Sequence, residues 1–444
     1  MRLEDFTGRR VAILGYGREG AAVLDVLRAR VPACDPVVWV ESGATPQGGS
    51  SRVGPFDDHL LEFDVLVRSP GIPVLHPALA KFRAAGRPVV NPTSIWLAER
   101  PDVKVLAVTG SKGKSTTASL LAHVLSHSGR RALLAGNIGV PVLEHLDTDV
   151  EIAVLELSSY QLTDLEGCLH MGLFTRLFPE HGDWHGGVEH YYASKLRMVG
   201  LLGGEPLLVN ARDPVLLEAT DMAPRRVLVN QPPLAHRLGS ALVRDGQTLL
   251  ESAGWPLLGQ HNLDNAALAV EAALRLGIDL ASTVAALQTF RPLAHRLEVL
   301  AASDSRHRWV NDSIATTPHA TLAALQALHD QPVVLIAGGF VRPADWSVVV
   351  EHCRNQPLAG LVVLPDSGPE IARAFAAEPG ACRGDVLSVS RLQDAVVESA
   401  RLAGERGTIL LSPGAASFPQ FRNFVDRGDQ FRQAVQAYRE RSTA

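Results

Sequence analysis

The segment from Val105 to Thr117 passes from an apolar run through a glycine-bounded turn into a lysine and three hydroxyl residues. Such a turn directs backbone N–H groups and the positive end of the next helix at one spot, where anionic oxygens can sit. Lys114 would neutralise the β- and γ-phosphates of a nucleotide, and Ser115 or Thr116 would offer Mg²⁺ a hydroxyl. An ordinary strand-to-helix turn is the alternative, but the order of strand, glycine, lysine and hydroxyl favours nucleotide binding. The predicted contacts are Gly110, Ser111, Lys112, Gly113, Lys114, Ser115 and Thr116.

A carboxylate stands at the end of a second apolar run, Ile152–Glu156. At the carboxyl end of a strand beside a phosphate loop, Glu156 is placed to bind Mg²⁺ or to orient water. Ser158 and Ser159 follow it and are typical helix N-caps. The two interpretations are compatible, and we predict both a catalytic role for Glu156 and a helix start after it.

Two imidazoles and a carboxylate share the turn from His181 to His185, directly after Glu180. Zinc is one interpretation, but the phosphate loop already implies Mg²⁺, which prefers oxygen ligands. We expect one histidine, with Glu180, to contact a second Mg²⁺ or a substrate oxygen, and the other to cap or pack. Lys195 lies on a predicted amphipathic helix, where a lysine is ordinarily solvated.

A second glycine pattern, Gly15–Gly20, follows the first apolar run, and Glu41 ends the next strand about 20 residues on. The pattern alone would indicate NAD, with Glu41 on a ribose hydroxyl. The segment is too short for a full dinucleotide fold, however, and the Ser69–Pro73 loop joins the same face. A mononucleotide such as a UDP group fits better.

The whole chain has the composition of a soluble α/β protein. It has 444 residues, of which 46% are hydrophobic and 20% charged, and its net charge is −5. No apolar run approaches the ~20 residues that span a bilayer, and the first residues show no secretory signal. The four cysteines lack C-x-x-C spacing. We therefore expect a cytoplasmic protein with free thiols that binds neither nucleic acid nor membrane.

Short apolar runs alternate with Ala- and Leu-rich amphipathic stretches along the chain, a pattern typical of parallel sheets. The length suggests about three domains. We place them at residues 1–99, 100–297 and 298–444. Arg296 and Asp312 flank the second boundary, where they could clasp the nucleotide from a neighbouring domain or form a surface salt bridge.

Taken together, these motifs resemble the Mur ligase family, the ATP-dependent ligases that add amino acids during peptidoglycan precursor synthesis. The motifs that carry the resemblance occur in the family's order: Thr109–Thr116, Gly136–Gly139, Leu155–Ser159, Ala193–Leu196, Gly259–Asn262, His295–Arg296 and Asn311–Ser313. The likeness is greatest to the glutamate-adding branch, through Gly15–Gly20, Ser69–Ile72, Leu411–Ser417 and Phe421–Phe424.

The resemblance implies three domains: a Rossmann-like UDP-binding domain, a central P-loop ATPase domain and a C-terminal Rossmann-like domain. It implies ATP and Mg²⁺ as cofactors, UDP-N-acetylmuramoyl-L-alanine and glutamate as substrates, and a monomer. The carboxylate of the UDP-sugar would attack the γ-phosphate to give an acyl phosphate, and the amine of glutamate would then displace phosphate. Closure of the third domain would keep water away from the acyl phosphate.

The resemblance also implies roles for individual residues. Ser115 or Thr116 with Glu156 would bind one Mg²⁺, and His181 would bind a second together with Lys195, which looks like a carbamylated lysine. ATP would contact Asn262, Asn265, Arg296 and Asp312. The UDP-sugar would contact Gly15, Gly17, Arg18, Glu41, Ser69 and Asn137, and glutamate would contact Thr316, Arg342, Ser417 and Phe424.

The chain departs from the D-glutamate-adding members on the amino-acid and metal sides. Ile314 replaces a lysine, Phe340 replaces an acid, and Arg342 replaces a lysine. Arg176 and Glu180 stand where those members have asparagine and aspartate. Because an arginine fork holds carboxylates in a different geometry from a lysine, we favour L-glutamate as the acceptor, with D-glutamate as the alternative.

Three other functions remain open from the sequence. A folylpolyglutamate synthase would share the ATP-dependent amide chemistry but not the Gly15–Gly20 segment. A nucleotide-binding protein without turnover would be compatible with the loss of the lysine at Ile314. The first glycine motif alone would fit an NAD-dependent oxidoreductase.

Overall fold

In a computed structural model of the chain, parallel strands and helices alternate as the sequence predicts. The structure describes residues 1–42, 45–138, 140–179, 182–257, 259–292, 294–300, 306–328, 332–340 and 345–443. The chain forms two compact units. The first comprises Met1–Glu251 and Leu263–Thr289, and the second comprises Ser252–Asn262 and Phe290–Ala444.

The first unit begins with a parallel sheet of order β3-β2-β1-β4-β5. Its strands are β1 (Val11–Leu14), β2 (Val37–Val40), β3 (Ser51–Val53), β4 (Val65–Arg68) and β5 (Val89–Val90). The helices α1 (Arg18–Arg30) and α2 (Pro77–Ala84) connect strands of this sheet, and α3 (Pro92–Glu99) follows its last strand. β1 and β4 are fully buried because helices cover both faces of a parallel sheet.

A second parallel sheet of the first unit has the order β11-β10-β9-β6-β8-β7. Its strands are β6 (Lys104–Thr109), β7 (Ala132–Gly136), β8 (Ile152–Glu156), β9 (Met171–Phe174), β10 (Leu207–Asn210) and β11 (Arg226–Val229). We call this the central sheet. β6 and β8 lie side by side, so Thr109 and Glu156 end at the same edge, where parallel sheets bind ligands.

The helices of the central region are α4 (Lys114–His127), α5 (Ser159–Leu162), α6 (Gly182–His185), α7 (Val188–Leu201), α8 (Pro214–Ala219), α9 (His261–Arg275) and α10 (Leu280–Thr289). A small antiparallel sheet follows α8 and is formed by β12 (His236–Leu238), β13 (Ala241–Arg244) and β14 (Gln247–Glu251). Short 3-10 helices lie at Leu3–Phe6, Asp58–Glu62, Val142–His145 and Pro379–Ala381.

The second unit contains a six-stranded sheet of order β15-β16-β20-β17-β18-β19. Its strands are β15 (Glu298–Val299), β16 (His307–Asn311), β17 (Val333–Gly339), β18 (Gly360–Asp366), β19 (Val386–Ser388) and β20 (Gly407–Leu411). Only β15 is antiparallel to its neighbour among these strands. The helices are α11 (Pro318–Ala327), α12 (Ser347–Asn355), α13 (Gly368–Ala376), α14 (Leu392–Ala403) and α15 (Phe424–Thr443).

The predicted α/β class is confirmed, with a parallel or mainly parallel sheet in each of the three predicted segments. The boundaries at residues 99 and 297 stay predictions, because the first and central sheets belong to one compact unit. The four cysteines are free thiols, as expected. Among the described residues, no helix has the length and apolarity that crossing a bilayer requires.

Candidate active site

The phosphate loop lies between β6 and α4, and two of its positions require glycine. Gly110 and Gly113 have φ angles of +146° and +88°. A Cβ atom on Gly110 would lie 2.1 Å from the Thr175 hydroxyl, and one on Gly113 would lie 2.4 Å from the Asn265 amide oxygen. Gly113 is the N-cap of α4, which begins at Lys114. The first N–H groups of α4 therefore face the loop and can bind an anion.

Side chains outside the loop brace its backbone. Thr175 donates a hydrogen bond to a loop carbonyl, Lys112 O, at 2.6 Å. The Ser111 amide donates to Arg176 O at 2.6 Å, and the Ser111 hydroxyl lies 2.8 Å from the hydroxyl of Tyr191. Thr175 was not predicted as a site residue, although its position directly after the buried strand β9 is a signal that could have found it.

Two lysines approach the same loop. Lys114 Nζ donates to Ser111 O at 2.9 Å, and Lys195 Nζ donates to Gly110 O at 2.8 Å. Lys195 is only 2% exposed, and its ammonium lies 4.7 Å from the centre of the Tyr191 ring. The expectation of a solvated lysine was therefore wrong, because α7 packs this face against the phosphate loop. Buried lysines are rare, which favours a functional role.

Glu156 ends β8 next to the loop and is 1% exposed. One carboxylate oxygen, Oε1, accepts a hydrogen bond from the Asn137 side chain at 2.9 Å. The other, Oε2, is buried without a hydrogen-bond partner among the described residues. Burying an unpaired charged oxygen is costly, so this atom fits a cation ligand. With the buried Ser115 hydroxyl, Glu156 provides the hard oxygen donors that Mg²⁺ prefers.

The predicted helix start after Glu156 is confirmed. Ser158 is the N-cap of α5, and its hydroxyl accepts a hydrogen bond from the Gln161 amide. The Gln161 side chain completes the capping box by reaching back to the Ser158 backbone. The capping interpretation therefore holds beside the proposed metal role of Glu156.

The structure describes only one of the two histidines of the predicted turn. His181 and Glu180 lie outside the described residues. His185 is 3% exposed, with Nε2 2.9 Å from the Ser159 hydroxyl and Nδ1 3.3 Å from that of Ser194. It is a satisfied core histidine. Among the described residues, no group of three His, Cys, Asp or Glu side chains could hold a metal ion.

The glycine loop of the first sheet meets the Ser69 loop. Ser69 Oγ donates to Gly15 O at 3.1 Å, and a Cβ on Gly20 would lie 2.2 Å from that same carbonyl. Gly17 caps α1, and Arg18 begins it on the exposed side. Glu41 directly follows β2 and is exposed, and its Oε1 lies 3.9 Å from His76 Nε2. These residues lie at strand ends, where the UDP contact was predicted.

A buried arginine that sequence reasoning missed secures this loop. Arg68 is fully buried, forms two hydrogen bonds to Asp164 at 2.6 and 2.7 Å, and donates to Ile72 O at 2.6 Å and to Tyr160 O at 3.0 Å. It thus connects the Ser69–Ile72 loop to the segment that follows Glu156. Arg68 and Asp164 are 96 positions apart, so no local pattern indicates the pair.

In the second unit, Asp312 lies directly after β16 and is 5% exposed. Its carboxylate accepts hydrogen bonds from the Leu297 amide at 3.1 Å and from the Ser412 hydroxyl at 2.9 Å. Arg296 lies between His295 and Leu297, both of which have positive φ angles. The Nε atom of Arg296 is buried without a hydrogen-bond partner among the described residues. Asp312 is therefore built into the fold rather than paired at the surface.

A second buried arginine joins the segments beside two of the predicted glutamate contacts, Ser417 and Phe424. Arg427 donates to Ser313 O at 2.8 Å and to Ala415 O at 3.0 Å, while the Ser313 hydroxyl donates to Phe424 O at 2.7 Å. Burial lowers the pKa of Arg427 to about 10. Sequence reasoning missed Arg427 because nothing in α15 marks it as buried. The remaining predicted contacts of this unit are the buried Asn262, the exposed Thr316 and the half-buried Ser417.

Two of the residues that depart from the D-glutamate pattern, Phe340 and Ile314, lie beside the same segments. The Phe340 amide donates to Ala416 O at 2.9 Å, next to Ser417. The Phe340 ring meets the Phe418 ring edge-on, with centroids 6.3 Å apart. Ile314 follows Ser313 and is half-buried. Arg342 lies outside the described residues.

Comparison with known proteins gives the family. Residues 108–273 match the model of the Mur ligase middle domain. A protein of Xanthomonas oryzae named UDP-N-acetylmuramoyl-L-alanine–L-glutamate ligase is 37% identical, over 98% of this chain and 96% of its own length. A Micromonospora protein of the same name is 37% identical over 98% of each chain. The chain belongs to the Mur ligase family.

Solved structures show the same fold for this Mur ligase. UDP-N-acetylmuramate–alanine ligase from Thermotoga maritima matches with a TM-score of 0.59 at 18% identity, over 97% of this chain and 100% of that one. MurF from Acinetobacter baumannii matches with a TM-score of 0.61 at 19% identity, over 96% and 90%. The predicted three-domain family fold is thereby confirmed for this Mur ligase.

Proposed function

We propose that this protein is an ATP-dependent ligase that joins L-glutamate to UDP-N-acetylmuramoyl-L-alanine in peptidoglycan precursor synthesis. The observation that carries the proposal is the similarity over 98% of the chain to relatives of that name. A match of this extent includes every segment that would contact the two substrates. The phosphate loop and the unpaired Glu156 oxygen support the ATP chemistry.

In the first step, an oxygen of the L-alanine carboxylate attacks the γ-phosphorus of ATP, and the bond to the bridging oxygen breaks to release ADP. Lys114 and the N–H groups at the start of α4 stabilise charge on the phosphates. Mg²⁺ held by Ser115 and Glu156 would neutralise further phosphate charge. Asn137 fixes the orientation of the Glu156 carboxylate through its 2.9 Å hydrogen bond.

In the second step, the neutral amine of glutamate attacks the acyl carbon. The resulting tetrahedral intermediate expels inorganic phosphate, and the amine loses a proton as the amide forms. Lys195 is buried beside the loop and is positioned by Gly110 O. Its proposed carbamate, the metal role of His181, and the ATP contacts of Asn262, Asn265, Arg296 and Asp312 rest on the family resemblance.

The preference for L-glutamate is supported by the chemistry of the substituted loops. L- and D-glutamate present the amine and the side-chain carboxylate in mirror-related positions. Phe340 offers an apolar ring where D-adding members have an acid, and Ile314 offers no charge where they have a lysine. Replacing an acid by an apolar ring and a lysine by isoleucine changes where the pocket can pair the charged groups of the acceptor, so the two enantiomers are no longer held as in the D-adding members.

The proposal is tested by phosphate release with ATP, Mg²⁺ and UDP-N-acetylmuramoyl-L-alanine, with L- and D-glutamate compared as acceptors. We expect release with L-glutamate and at least tenfold less with D-glutamate, an order-of-magnitude figure for one changed pocket contact. Release only with D-glutamate would reassign the acceptor. No release with either would contradict the proposed activity.

The same proposal includes a cytoplasmic location, which the use of ATP and a UDP-linked precursor supports. The monomeric state remains a prediction from the resemblance, and size-exclusion chromatography with light scattering would test it.

A further inference from the structure

Three arginines converge on one buried carboxylate beside the phosphate loop. Asp264, in the first turn of α9, is 2% exposed. Its oxygens lie 3.3 Å from Arg176 Nη2, 3.5 Å from Arg212 Nε and 3.2 Å from Arg237 Nε. We call these four residues the arginine cluster. It carries three positive charges and one negative charge, so it has two excess positive charges at a partly buried site.

The arginine cluster lies on the ligand face of the central sheet. Arg176 follows the end of β9, and Arg212 follows the end of β10. Asn210 fixes both segments, because its amide donates to Thr175 O at 2.8 Å and its oxygen accepts from the Arg212 amide at 3.1 Å. The carboxyl ends of parallel strands are where such sheets bind ligands.

The arginine cluster is also joined directly to the phosphate loop. Arg176 O accepts the Ser111 amide hydrogen at 2.6 Å. Asp264 precedes Asn265, whose amide oxygen lies 2.4 Å from the position of a Cβ on Gly113. The position of the cluster is thus set by the same contacts that shape the loop.

The strand order decides which part of ATP meets these arginines. β8, with Glu156, lies on one side of β6, and β9 and β10 lie on the other. The loop and Glu156 account for the β- and γ-phosphates and their metal. Arg176 follows β9, the strand next to β6 and about 4.8 Å away at the usual strand spacing, so it lies on the side of the loop opposite Glu156, where the α-phosphate end of the chain can reach it.

We infer that the arginine cluster binds the α-phosphate end of ATP through Arg176, with Arg212 beside it. Asp264 holds the guanidinium groups in place and offsets part of their mutual repulsion. The Arg176 side chain is 45% exposed and makes one hydrogen bond among the described residues. Its other guanidinium N–H groups can therefore donate to a phosphate. The inference rests on the proposed ATP-dependent function and adds contacts to it.

The test is equilibrium binding of two probes, ATP and inorganic tripolyphosphate, to the full-length protein with Mg²⁺ and without the UDP-sugar. Arg176→Asn should raise the Kd of both probes by about tenfold or more, as expected for a lost charged hydrogen bond. The Kd values of Arg176→Lys should lie between those of the unchanged protein and those of Arg176→Asn, because lysine keeps the positive charge but not the planar guanidinium. Added salt should reduce the differences in Kd between the variants and the unchanged protein.

The matched control is Arg10→Asn, which removes an arginine paired with Asp64 at the start of β1, away from the strand ends that bind ligands. It should change neither Kd. If Arg176→Asn does not fold, judged by circular dichroism, Arg212→Gln gives the second measurement and should weaken both probes.

Unchanged affinity in the folded variants would overturn the inference. Weaker binding of ATP alone, with tripolyphosphate unaffected, would also overturn it, since the contact would then be to the nucleoside. Absence of ATP binding by the unchanged protein would contradict the proposed function itself.

Discussion

Glu156 is buried, and one of its carboxylate oxygens has no hydrogen-bond partner among the described residues. It should therefore lower the stability of the protein when no metal is bound. Glu156→Gln should lower phosphate release by about 100-fold, because a metal ligand near the transferred phosphate is lost. The melting temperature without Mg²⁺ should stay the same or rise, since a neutral amide costs less to bury.

Calorimetry with and without Mg²⁺ and ATP checks this prediction. Both ligands together should stabilise the unchanged protein more than the variant. Glu151→Gln, just before the opposite end of β8, is the control and should leave activity unchanged. A fully active Glu156→Gln enzyme would remove Glu156 from the mechanism.

A substitution at Lys195 can distinguish between two chemical roles of this side chain. A buried ammonium would act as a positive charge, whereas a carbamate would act as a negative metal ligand. Lys195→Arg keeps the positive charge but cannot form a carbamate. We expect it to lose at least about 100-fold in phosphate release, as Glu156→Gln does. Retained activity would show that the charge is sufficient, and Lys104→Arg at the exposed start of β6 controls for the substitution.

At the scale of elements, the Arg68–Asp164 pair ties the Ser69–Ile72 loop to the segment that follows α5. Arg68→Met should destabilise the protein by about 3 kcal/mol, because the partly buried Asp164 loses its bidentate partner and keeps only Asn91 and Arg83. Urea unfolding measures this loss, and Arg10→Gln, which breaks an exposed pair, should cause no measurable change. The KM for the UDP-sugar should rise as well, since the loop loses its anchor.

β15 and the turn before it contain a pH-sensitive residue. Burial lowers the pKa of His295, against opposing effects of Asp429 and Glu298. The folded state therefore disfavours the protonated form, and stability is lost as the pH falls from above 6.5, the ordinary histidine value, towards the lowered pKa.

Urea midpoints at pH 7.5 and pH 5.5 test this expectation. The midpoint should fall on acidification, and it should fall less in His295→Gln, whose side chain does not titrate. An equal fall in both proteins would assign the pH effect to other groups, such as His352, whose pKa burial also lowers.

At the scale of the whole molecule, the two compact units predict how fragments behave. A fragment of residues 1–99 would expose Arg68 and leave it without Asp164 and Tyr160. We expect this fragment to be unfolded when expressed alone, despite its complete five-stranded sheet. A fragment of residues 290–444 retains the six-stranded sheet with both faces covered and should fold cooperatively. Circular dichroism melts of the two fragments measure the difference.

The sequence by itself determined the local features of this protein. The strands, the helix starts and the phosphate loop follow from short-range patterns: apolar runs, N-caps, and glycines at positions with positive φ. Gly110 and Gly113 could be identified because the chemistry of a phosphate loop requires consecutive residues in a set order. The family followed from the order of such local motifs along the chain.

Only the tertiary structure decided which polar side chains are buried. Lys195 sits on a helix whose pattern indicates a solvated lysine, and its partner Gly110 O is 85 positions away. Arg68 likewise pairs with Asp164 across 96 positions. Arg176 pairs with Asp264 across 88 positions, and Arg427 pairs with Ser313 across 114. Whether a charged side chain is buried depends on which distant segments pack together, and the local periodicity of the sequence does not indicate this. These long-range pairs were therefore visible only once the sheets had brought their strand ends together.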